Sequence, residues 1–416
     1  MFHVHRAGLG LLLPLTLMLG CGGGSATPEE TSPPAGESPT AQGEATATAA
    51  PTATEAPTAP VSTETADPAT PIPTPLPTPD LAGPLPYETL SAYRFFAEPM
   101  ADLRPNAGVL PYEVASPLWT DGALKYRFFV LPPGETVGFD AEGAWEWPVG
   151  AVLIKNFVFP VSWADPAGAR RIVETRLLIH QGDGDWSAQT YVWDDAQTEA
   201  TRVEAGKLIK LNLISPEGEA YSQSYLVPNT NQCGNCHEIS DRFELLGPVT
   251  AQLNRAVDRG DGDVGQLAWL AEQGVFAEAP PSPETLRALI NPMGEGTLED
   301  RARSYLHANC SHCHQDGGNA HKSGLFLGAF VENPQTFGVC KTPVAAGGGS
   351  GTALYDIVPG SPDDSILIYR MSSLDPDEKM PEVGNLTLDQ AGLSLIRQWI
   401  GAMDPVDCAT YGANSH

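Results

Sequence analysis

Residues 298–314 read LEDRARSYLHANCSHCH, a run that ends in the pattern Cys310-Ser-His-Cys313-His314. The stretch from Leu298 to Asn309 predicts a helix that leads directly into Cys310. The same spacing of two cysteines followed by a histidine occurs earlier, at Cys233-Gly-Asn-Cys236-His237. Because the chain has only 9 His, a His directly after both cysteine pairs indicates a shared chemical role rather than chance.

Cys-x-x-Cys-His is the haem attachment pattern of c-type cytochromes. Two thiols at this spacing can form thioether bonds to the two vinyl groups on one porphyrin edge, and the adjacent His is then the proximal iron ligand. We therefore expect two covalently bound haem c groups. The expected residues are Cys233, Cys236 and His237 for the first haem, and Cys310, Cys313 and His314 for the second.

Two other functions of paired cysteines are compatible with this pattern. Four cysteines could form a zinc site, but Cys236 and Cys310 are much further apart in sequence than the usual ligand pairs. A thioredoxin-like redox pair needs no His in the next position. Both are weaker explanations than haem attachment.

The C-terminal part resembles a monohaem class I cytochrome c. Thr387-Leu-Asp-Gln390 is a predicted capping box, followed by a helix with Leu393, Ile396, Trp399 and Ile400 on one face and by Pro405 beyond its end. In such a domain this helix crosses the one that enters the haem motif. The resemblance implies that Tyr305 or Leu306 packs against Trp399.

A domain of this kind needs a sixth iron ligand from a late loop. Met380, in Lys379-Met-Pro-Glu382, is the expected ligand, since a thioether suits low-spin haem iron. Met371 and Met403 lie in apolar runs and are expected to fill the core. The remaining histidines near the motif are expected at the surface or near the haem propionates: His307, His312 and His321.

The middle of the chain predicts β-structure. In Arg171–His180 the apolar and polar residues alternate, as in a half-buried strand. The predicted strands are Leu124–Leu131, Ala151–Phe159, Arg171–Gln181, Thr190–Asp194 and Thr201–Leu213, the last a hairpin turning at Ala205-Gly206. Since the first motif follows these strands, the first haem is expected on or beside a β-domain. Three alternatives remain for its sixth coordination position, which are Met293, His180 and a vacant position.

The β-rich part also resembles, weakly, the cytochrome P460 and cytochrome c′-beta group, through residues 147–157 (WPVGAVLIKNF) and the motif at the end of the domain. In cytochromes P460 a Lys is cross-linked to a five-coordinate haem. Lys155 lies between Leu153 and Phe157 on one strand face and so can point at a haem. The simpler expectation is that its ammonium extends into solvent.

The N-terminus predicts export. Residues 1–21 combine Arg6, a short apolar run and Gly20-Cys21, which resembles a lipoprotein signal whose Cys21 becomes lipidated. Residues 22–84, rich in Pro, Thr, Ala and Glu, predict a disordered tether. Cys340 and Cys408 remain unassigned, and in an exported protein we expect them to form a disulfide.

The predicted organisation is α+β and multidomain. It consists of a signal peptide (1–21), a tether (22–84), a β-rich domain that ends in the first motif (85–245), a helical or loop connector (246–296) and a cytochrome c domain (297–416). A formal charge of −28 argues against nucleic acid as a partner, which requires an excess of Lys and Arg. The acidity instead favours a basic redox partner protein.

As a whole, the chain resembles an uncharacterised family of bacterial dihaem c-type cytochromes. The resemblance runs from GVLPYEVASPLWTDG at Gly108 to the Trp399 helix, and includes VPNTNQC, SGLFL, GVCKTPVAAG, LYDIVPG and the MPE loop. It implies electron transfer between redox partners at the cell envelope, by a lipid-anchored periplasmic or cell-surface protein. The alternative is a haem enzyme, peroxidase-like or P460-like, with an open first haem that acts on peroxide or a nitrogen oxide.

Overall fold

The computed structural model of the chain describes residues 76–260, 262–344 and 346–411. The chain divides into two units between Pro71 and Ile72, and every described residue lies in the second unit. The signal segment 1–21 with Cys21, and most of the expected tether 22–84, lie outside the described residues.

A six-stranded antiparallel sheet occupies the first half of the described chain, and its strands lie in sequence order. Strands that follow one another in sequence are commonly neighbours in a sheet. The strands are β1 (Val109–Tyr112), β2 (Leu124–Val130), β3 (Val152–Pro160), β4 (Arg170–Gly182), β5 (Asp185–Trp193) and β6 (Ala200–Val203). The predicted strands match β2, β3 and β4 closely, whereas β5 begins earlier than expected.

The expected hairpin within Thr201–Leu213 is wrong. The chain does turn near Ala205, but β6 pairs with β5, whereas the next strand pairs forward with a strand absent from the prediction. Apolar alternation locates strands but does not specify partners. The separate hairpin is β7 (Lys207–Ile214) with β8 (Ala220–Val227), and the later two-residue and three-residue strands are β9 (Glu238–Ile239), β10 (Arg242–Phe243), β11 (Ala256–Asp258) and β12 (Asp263–Gly265).

Both faces of the large sheet are covered. One face packs against the N-terminal segment, with Tyr93 and Phe95 fully buried. The amide of Asp80 donates to the carbonyl of Tyr93 (2.9 Å), and the amide of Ala107 to that of Pro77 (3.1 Å). Ordered structure therefore begins before the predicted tether boundary at residue 84, because these backbone groups are paired with the β-region.

The opposite face of the sheet is covered by two different apolar clusters. The β7–β8 hairpin packs on one end, around Phe157 and Tyr225. Short helices and loops pack on the other end, around Phe129 and Trp147. Arg127, Lys155 and Arg176 also lie on this face.

Most of the regular secondary structure in the second half is helical. They are α1 (Gly234–His237), α2 (Thr250–Leu253), α3 (Gln266–Glu272), α4 (Leu298–Asn309), α5 (Ile366–Met371) and α6 (Gln390–Ala402). The bounds of α4 are those predicted, and the fold is mixed α+β as expected. In the described parts of the chain, each helix is too short or too polar to span a bilayer.

Helices α4 and α6 share one core, which includes Tyr305, Leu306 and Trp399. A Cβ at Gly392 would lie 2.3 Å from the Tyr305 ring, so only glycine permits this approach. The expected capping box at Thr387 is wrong. Asp389 caps α6 by accepting from the amide of Gly392 (2.9 Å), two residues later than predicted.

Thr387 instead forms hydrogen bonds with the β-rich part. Its backbone amide (2.8 Å) and hydroxyl (2.9 Å) both donate to Asp121 Oδ1. Ser116 Oγ donates to the carbonyl of Ser304 (2.7 Å), and Asn309 Oδ1 accepts from the amide of Trp119 (2.7 Å). The loop after β1 thus joins the sheet to α4 and α6, across the predicted domain boundaries.

Candidate functional site

The first cysteine motif is held in a compact helical turn. A 3-10 turn at Thr230–Cys233 runs into α1 (Gly234–His237). Asn229 Oδ1 accepts from the amide of Gln232 (3.1 Å), and Gln232 Oε1 accepts from the amide of Asn229 (3.0 Å). This reciprocal cap explains why the polar run before Cys233 folds as it does.

The second motif continues directly from the end of α4. The amide of Cys310 donates to the carbonyl of Leu306 (2.9 Å), and the amide of His314 donates to the carbonyl of Cys310 (3.0 Å). The chain therefore keeps a helical turn through the motif. In both motifs the two cysteines and the following His are presented from a single turn.

The two motif histidines have the same hydrogen-bond arrangement. His237 Nδ1 lies 2.8 Å from the carbonyl of Glu244, and His314 Nδ1 lies 3.3 Å from the carbonyl of Leu325. A carbonyl only accepts, so Nδ1 carries the proton and Nε2 keeps its lone pair. The His237 ring also stacks on Phe243, with centroids 4.8 Å apart.

Both histidines are kept neutral by their surroundings. Burial lowers the pKa of His237 and that of His314 to about 4, against a partial opposing effect of the carbonyl hydrogen bonds. A neutral imidazole whose Nδ1 is fixed by a backbone carbonyl is the form that binds iron through Nε2. The residues present therefore fit a haem iron at each motif.

The two motifs lie side by side, although they are far apart in sequence. Cys313 Sγ donates to the carbonyl of Asn235 (3.2 Å), and Asn319 Nδ2 donates to the same carbonyl (2.8 Å). The pKa of Cys236 is lowered, chiefly by its hydrogen bond with Cys313 and also by His312. The same hydrogen bond, together with burial, raises the pKa of Cys313.

His312 does not lie at the surface, one of the two positions expected for it. It is only 8% exposed and lies against Cys236. Sequence separation is also no argument against a shared zinc site, since the two motifs are in contact. Within residues 76–260, 262–344 and 346–411, however, no three His, Cys, Asp or Glu side chains are arranged to hold a metal ion.

The predicted Met380 loop lies on the side of the second motif. The amide of Met380 donates to the carbonyl of Arg370 (3.1 Å). The charge of Arg370 contributes to the lowered pKa of His314, and Glu382 contributes to the raised pKa of Cys313. The other two candidates, Met371 and Met403, pack against the core shared by α4 and α6.

The candidates for the first motif are placed differently. Met293 is 49% exposed, in the wall of a cavity of about 630 Å³ whose lining does not include His237. His180 stacks on Trp186, with centroids 4.6 Å apart, and its buried Nδ1 has no hydrogen-bond partner among the described residues. The structure brings neither side chain into a described contact with His237.

Lys155 is not extended into solvent, contrary to the simpler expectation. It is half-buried, and its Nζ lies 5.0 Å from the centre of the Phe157 ring. Burial lowers its pKa well below the usual value, and its charge contributes to the lowered pKa of His237. Lys155 therefore lies near the first motif.

Lys155 belongs to a group of cations that sequence reasoning missed. Arg127 faces it from β2 and Arg176 from β4. Polar residues at alternate positions of three predicted strands were the available signal. That signal is weak, because the register between the strands decides whether the cations meet.

Cys340 and Cys408, expected to pair, are joined by a disulfide, with Cα atoms 4.9 Å apart. The bond fastens the chain after α6 to the core beside Ile357, whose carbonyl accepts from the amide of Cys340 (2.9 Å). None of the four motif cysteines forms a disulfide within the described residues.

Comparisons of the chain with protein-family models, with curated proteins and with solved structures find no match. The site is therefore interpreted from its own geometry.

Proposed function

We propose that the chain is an exported dihaem c-type cytochrome that transfers electrons between redox partners at the bacterial cell envelope. The observation that carries the proposal is the contact between two Cys-x-x-Cys-His turns, each with a partly buried neutral His whose Nδ1 faces a carbonyl. In this proposal, a β-rich part carries the first haem and a cytochrome c part carries the second, after a lipid-anchored tether.

Each haem, when bound, supplies one-electron iron chemistry. The protein supplies the attachment thiols and the orientation of each ligand. His237 and His314 are held by backbone carbonyls at 2.8 and 3.3 Å, which fixes the ring nitrogen that would be available to the iron. We further propose Met380 as the sixth ligand of the second haem, because its loop lies beside the second motif.

The contact between the motifs supports electron exchange within the chain. Cys313 touches the backbone of Asn235, so thioether bonds at Cys236 and Cys313 would anchor the two porphyrin edges close together. Electron transfer would then need no movement of the protein between the two centres. The acidic chain, with its charge of −28, favours a basic partner through steering that weakens with salt.

A second candidate is a haem enzyme with an open first haem. It is favoured by the position of Met293, which lines a cavity without His237. It is also favoured by the cations near His237, which could attract an anionic small molecule. In this alternative the second haem would pass electrons to or from the first.

Haem content and carbon monoxide binding test both candidates. The protein is matured in a host able to attach c-type haem and analysed by mass spectrometry. Two double variants, Cys233→Ala/Cys236→Ala and Cys310→Ala/Cys313→Ala, each remove one attachment site and serve as controls. We expect two haems in the parent and one in each control. A colourless parent, or one containing zinc, contradicts the proposal.

Carbon monoxide is then added to the reduced protein. No change in the haem spectrum supports the electron carrier, since both sixth positions are filled. Binding at the haem that remains in the Cys310→Ala/Cys313→Ala control, and at one haem of the parent, supports the enzyme.

A further inference from the structure

A row of cations crosses three neighbouring strands of the large sheet. Arg127 on β2 is directly opposite Lys155 on β3, which is directly opposite Arg176 on β4. Residues opposite each other in antiparallel strands have Cβ atoms about 5 Å apart. Lys125 lies two positions before Arg127 and so on the same face of the sheet. We call these four residues the cationic row.

The cationic row is short of negative charge. Arg176 pairs with Glu174, which is fully buried (Nη2–Oε1 2.6 Å) and also accepts from the Tyr225 hydroxyl (2.6 Å). In the part of the chain that the structure describes, Lys125, Arg127 and Lys155 form no ion pair. Three cations therefore lie together without a partner in a chain that is otherwise strongly acidic.

The nearest acidic residues are occupied elsewhere. Glu113 influences Arg127, but its carboxylate lies 3.6 Å from Arg255. Asp121 and Asp389 influence Lys125, but Asp121 accepts from the Thr387 segment and Asp389 caps α6. These carboxylates serve structural contacts and compensate the row only in part.

Such an arrangement is unfavourable as it stands. Arg127 is 9% exposed, and its one described hydrogen bond is to the carbonyl of Lys125 at 3.4 Å. Like charges directly opposite in a sheet are destabilising, and burial of a cation without a partner is strongly unfavourable. Burial and the neighbouring cations lower the pKa of Lys125 to about 7. A bound anion would relieve this cost.

The cationic row also leads from the first motif to open space. At one end, Arg176 affects the pKa of Cys233, and Lys155 affects that of His237. At the other end, Lys125 and Arg127 line the cavity of about 630 Å³, whose walls are largely aromatic and apolar, among them Trp119, Tyr126 and Trp163. An anion at the row would thus lie beside His237 and be reached through the cavity.

We propose that Lys125, Arg127, Lys155 and Arg176 form an oxyanion-binding site beside the first cysteine motif. Guanidinium groups bind carboxylates and inorganic oxyanions through two parallel hydrogen bonds, and lysines add point charges. The oxyanion has two chemically equivalent sources. One is the pair of propionate carboxylates of a haem at Cys233 and Cys236, which rests on the proposed function. The other is a free oxyanion such as nitrite or phosphate.

The test uses Arg127→Gln and Lys155→Met in the full chain, with Lys210→Met as the matched control, because Lys210 is exposed on β7. Arg127→Lys keeps the charge and serves as the conservative variant. Haem content is measured first, so that failure of the proposed function is recognised separately. A colourless protein can still be titrated with nitrite and phosphate.

The readouts are the midpoint potentials of the two haems and the affinity for nitrite and phosphate by calorimetry. If propionates occupy the row, Arg127→Gln and Lys155→Met lower the potential of the first haem alone, because a positive charge near the oxidised iron is removed, and nitrite does not bind the parent. If a free oxyanion is the ligand, the parent binds it and both variants lose at least tenfold in affinity. In each case Lys210→Met behaves like the parent.

Thermal unfolding provides a readout that a purely structural role would not produce. Without an anion, in protein that lacks haem, Lys155→Met should melt at a higher temperature than the parent, because a partly buried amine without an ion-pair partner is replaced by an apolar side chain. With saturating oxyanion or attached haem, the order should reverse. Unchanged potentials, unchanged oxyanion affinity and the same order of melting temperatures in both states would overturn the proposal.

Discussion

The side-chain amide of Asn319 donates a 2.8 Å hydrogen bond to the backbone carbonyl of Asn235, inside the first cysteine motif. The same carbonyl accepts from the thiol of Cys313, inside the second motif. One peptide group thus joins two turns that are separated in sequence by the whole connector and α4. This contact is the structural basis for treating the two motifs as one functional unit.

Asn319→Ala is expected to loosen that unit. Since the hydrogen bond is exposed, its loss should lower the free energy of unfolding by about 0.5–1 kcal/mol, measured by denaturant titration. Asn235→Ala is the control, because it keeps the carbonyl that accepts the bond and removes only an exposed side chain. Equal effects of the two substitutions would contradict a role for the Asn319 contact.

Met380→Leu is expected to open the sixth position of the second haem. The reduced variant should bind carbon monoxide, and the potential of that haem should fall because a thioether ligand is lost. Met371→Leu is the matched control, since Met371 packs against the core and an isosteric apolar residue suits that position. If both variants keep the parent spectrum, Met380 is not the ligand.

Gly392→Ala is expected to destabilise the contact between α4 and α6. The added methyl group would lie 2.3 Å from the ring of Tyr305, and overpacking of this kind costs about 1–3 kcal/mol. Gly401→Ala, in the same helix, meets only Pro362 at 4.0 Å. It should instead raise the free energy of unfolding by up to about 1 kcal/mol, from helix propensity. Chemical denaturation of both variants separates the two effects.

Alkaline conditions are expected to weaken the β-region through Tyr191. This side chain is fully buried, and its hydroxyl lies 2.8 Å from that of Tyr93 and donates to the carbonyl of Tyr87 at 2.6 Å. Burial, together with the Tyr93 hydrogen bond, raises the pKa of Tyr191 far above the usual 10. The unfolded chain therefore releases this proton at lower pH than the folded chain does.

With that sign, the contribution of Tyr191 to stability is complete below pH 10 and is lost as the pH rises toward its raised folded pKa. The slope is about −1.4 kcal/mol per pH unit for one tyrosine. Tyr191→Phe should reduce the loss of unfolding free energy between pH 9 and 11, whereas Tyr411→Phe, near the end of the described chain, should not. The same steepness in both variants would show that other groups cause the alkaline loss.

Removal of the disulfide by Cys340→Ala/Cys408→Ser is expected to lower the free energy of unfolding by about 4 kcal/mol. The estimate follows from the loop entropy of a bond that spans 68 residues. Haem content should be unchanged, because the motif cysteines are not involved. If mass spectrometry found both thiols free in the purified parent, the disulfide would be shown not to form.

Local sequence determined the parts of this protein that depend on near neighbours. The predicted bounds of α4 agree with the structure, because apolar spacing and helix propensity act over a few residues. The strands β2, β3 and β4 were found from alternation for the same reason. The placement of a His directly after two cysteines was likewise readable from sequence, since one helical turn presents all three.

The tertiary structure determined which residues distant in sequence come into contact. The forward pairing of β7 with β8, the capping of α6 by Asp389, the burial of His312 against Cys236 and the register that aligns Arg127, Lys155 and Arg176 all depend on partners distant in the chain. The alternation of apolar and polar residues in a strand is the same in any register, and the sequence does not distinguish a buried lysine from an exposed one. Long-range packing chooses among these options by burying the most apolar surface, and that choice becomes visible only when the chain is folded.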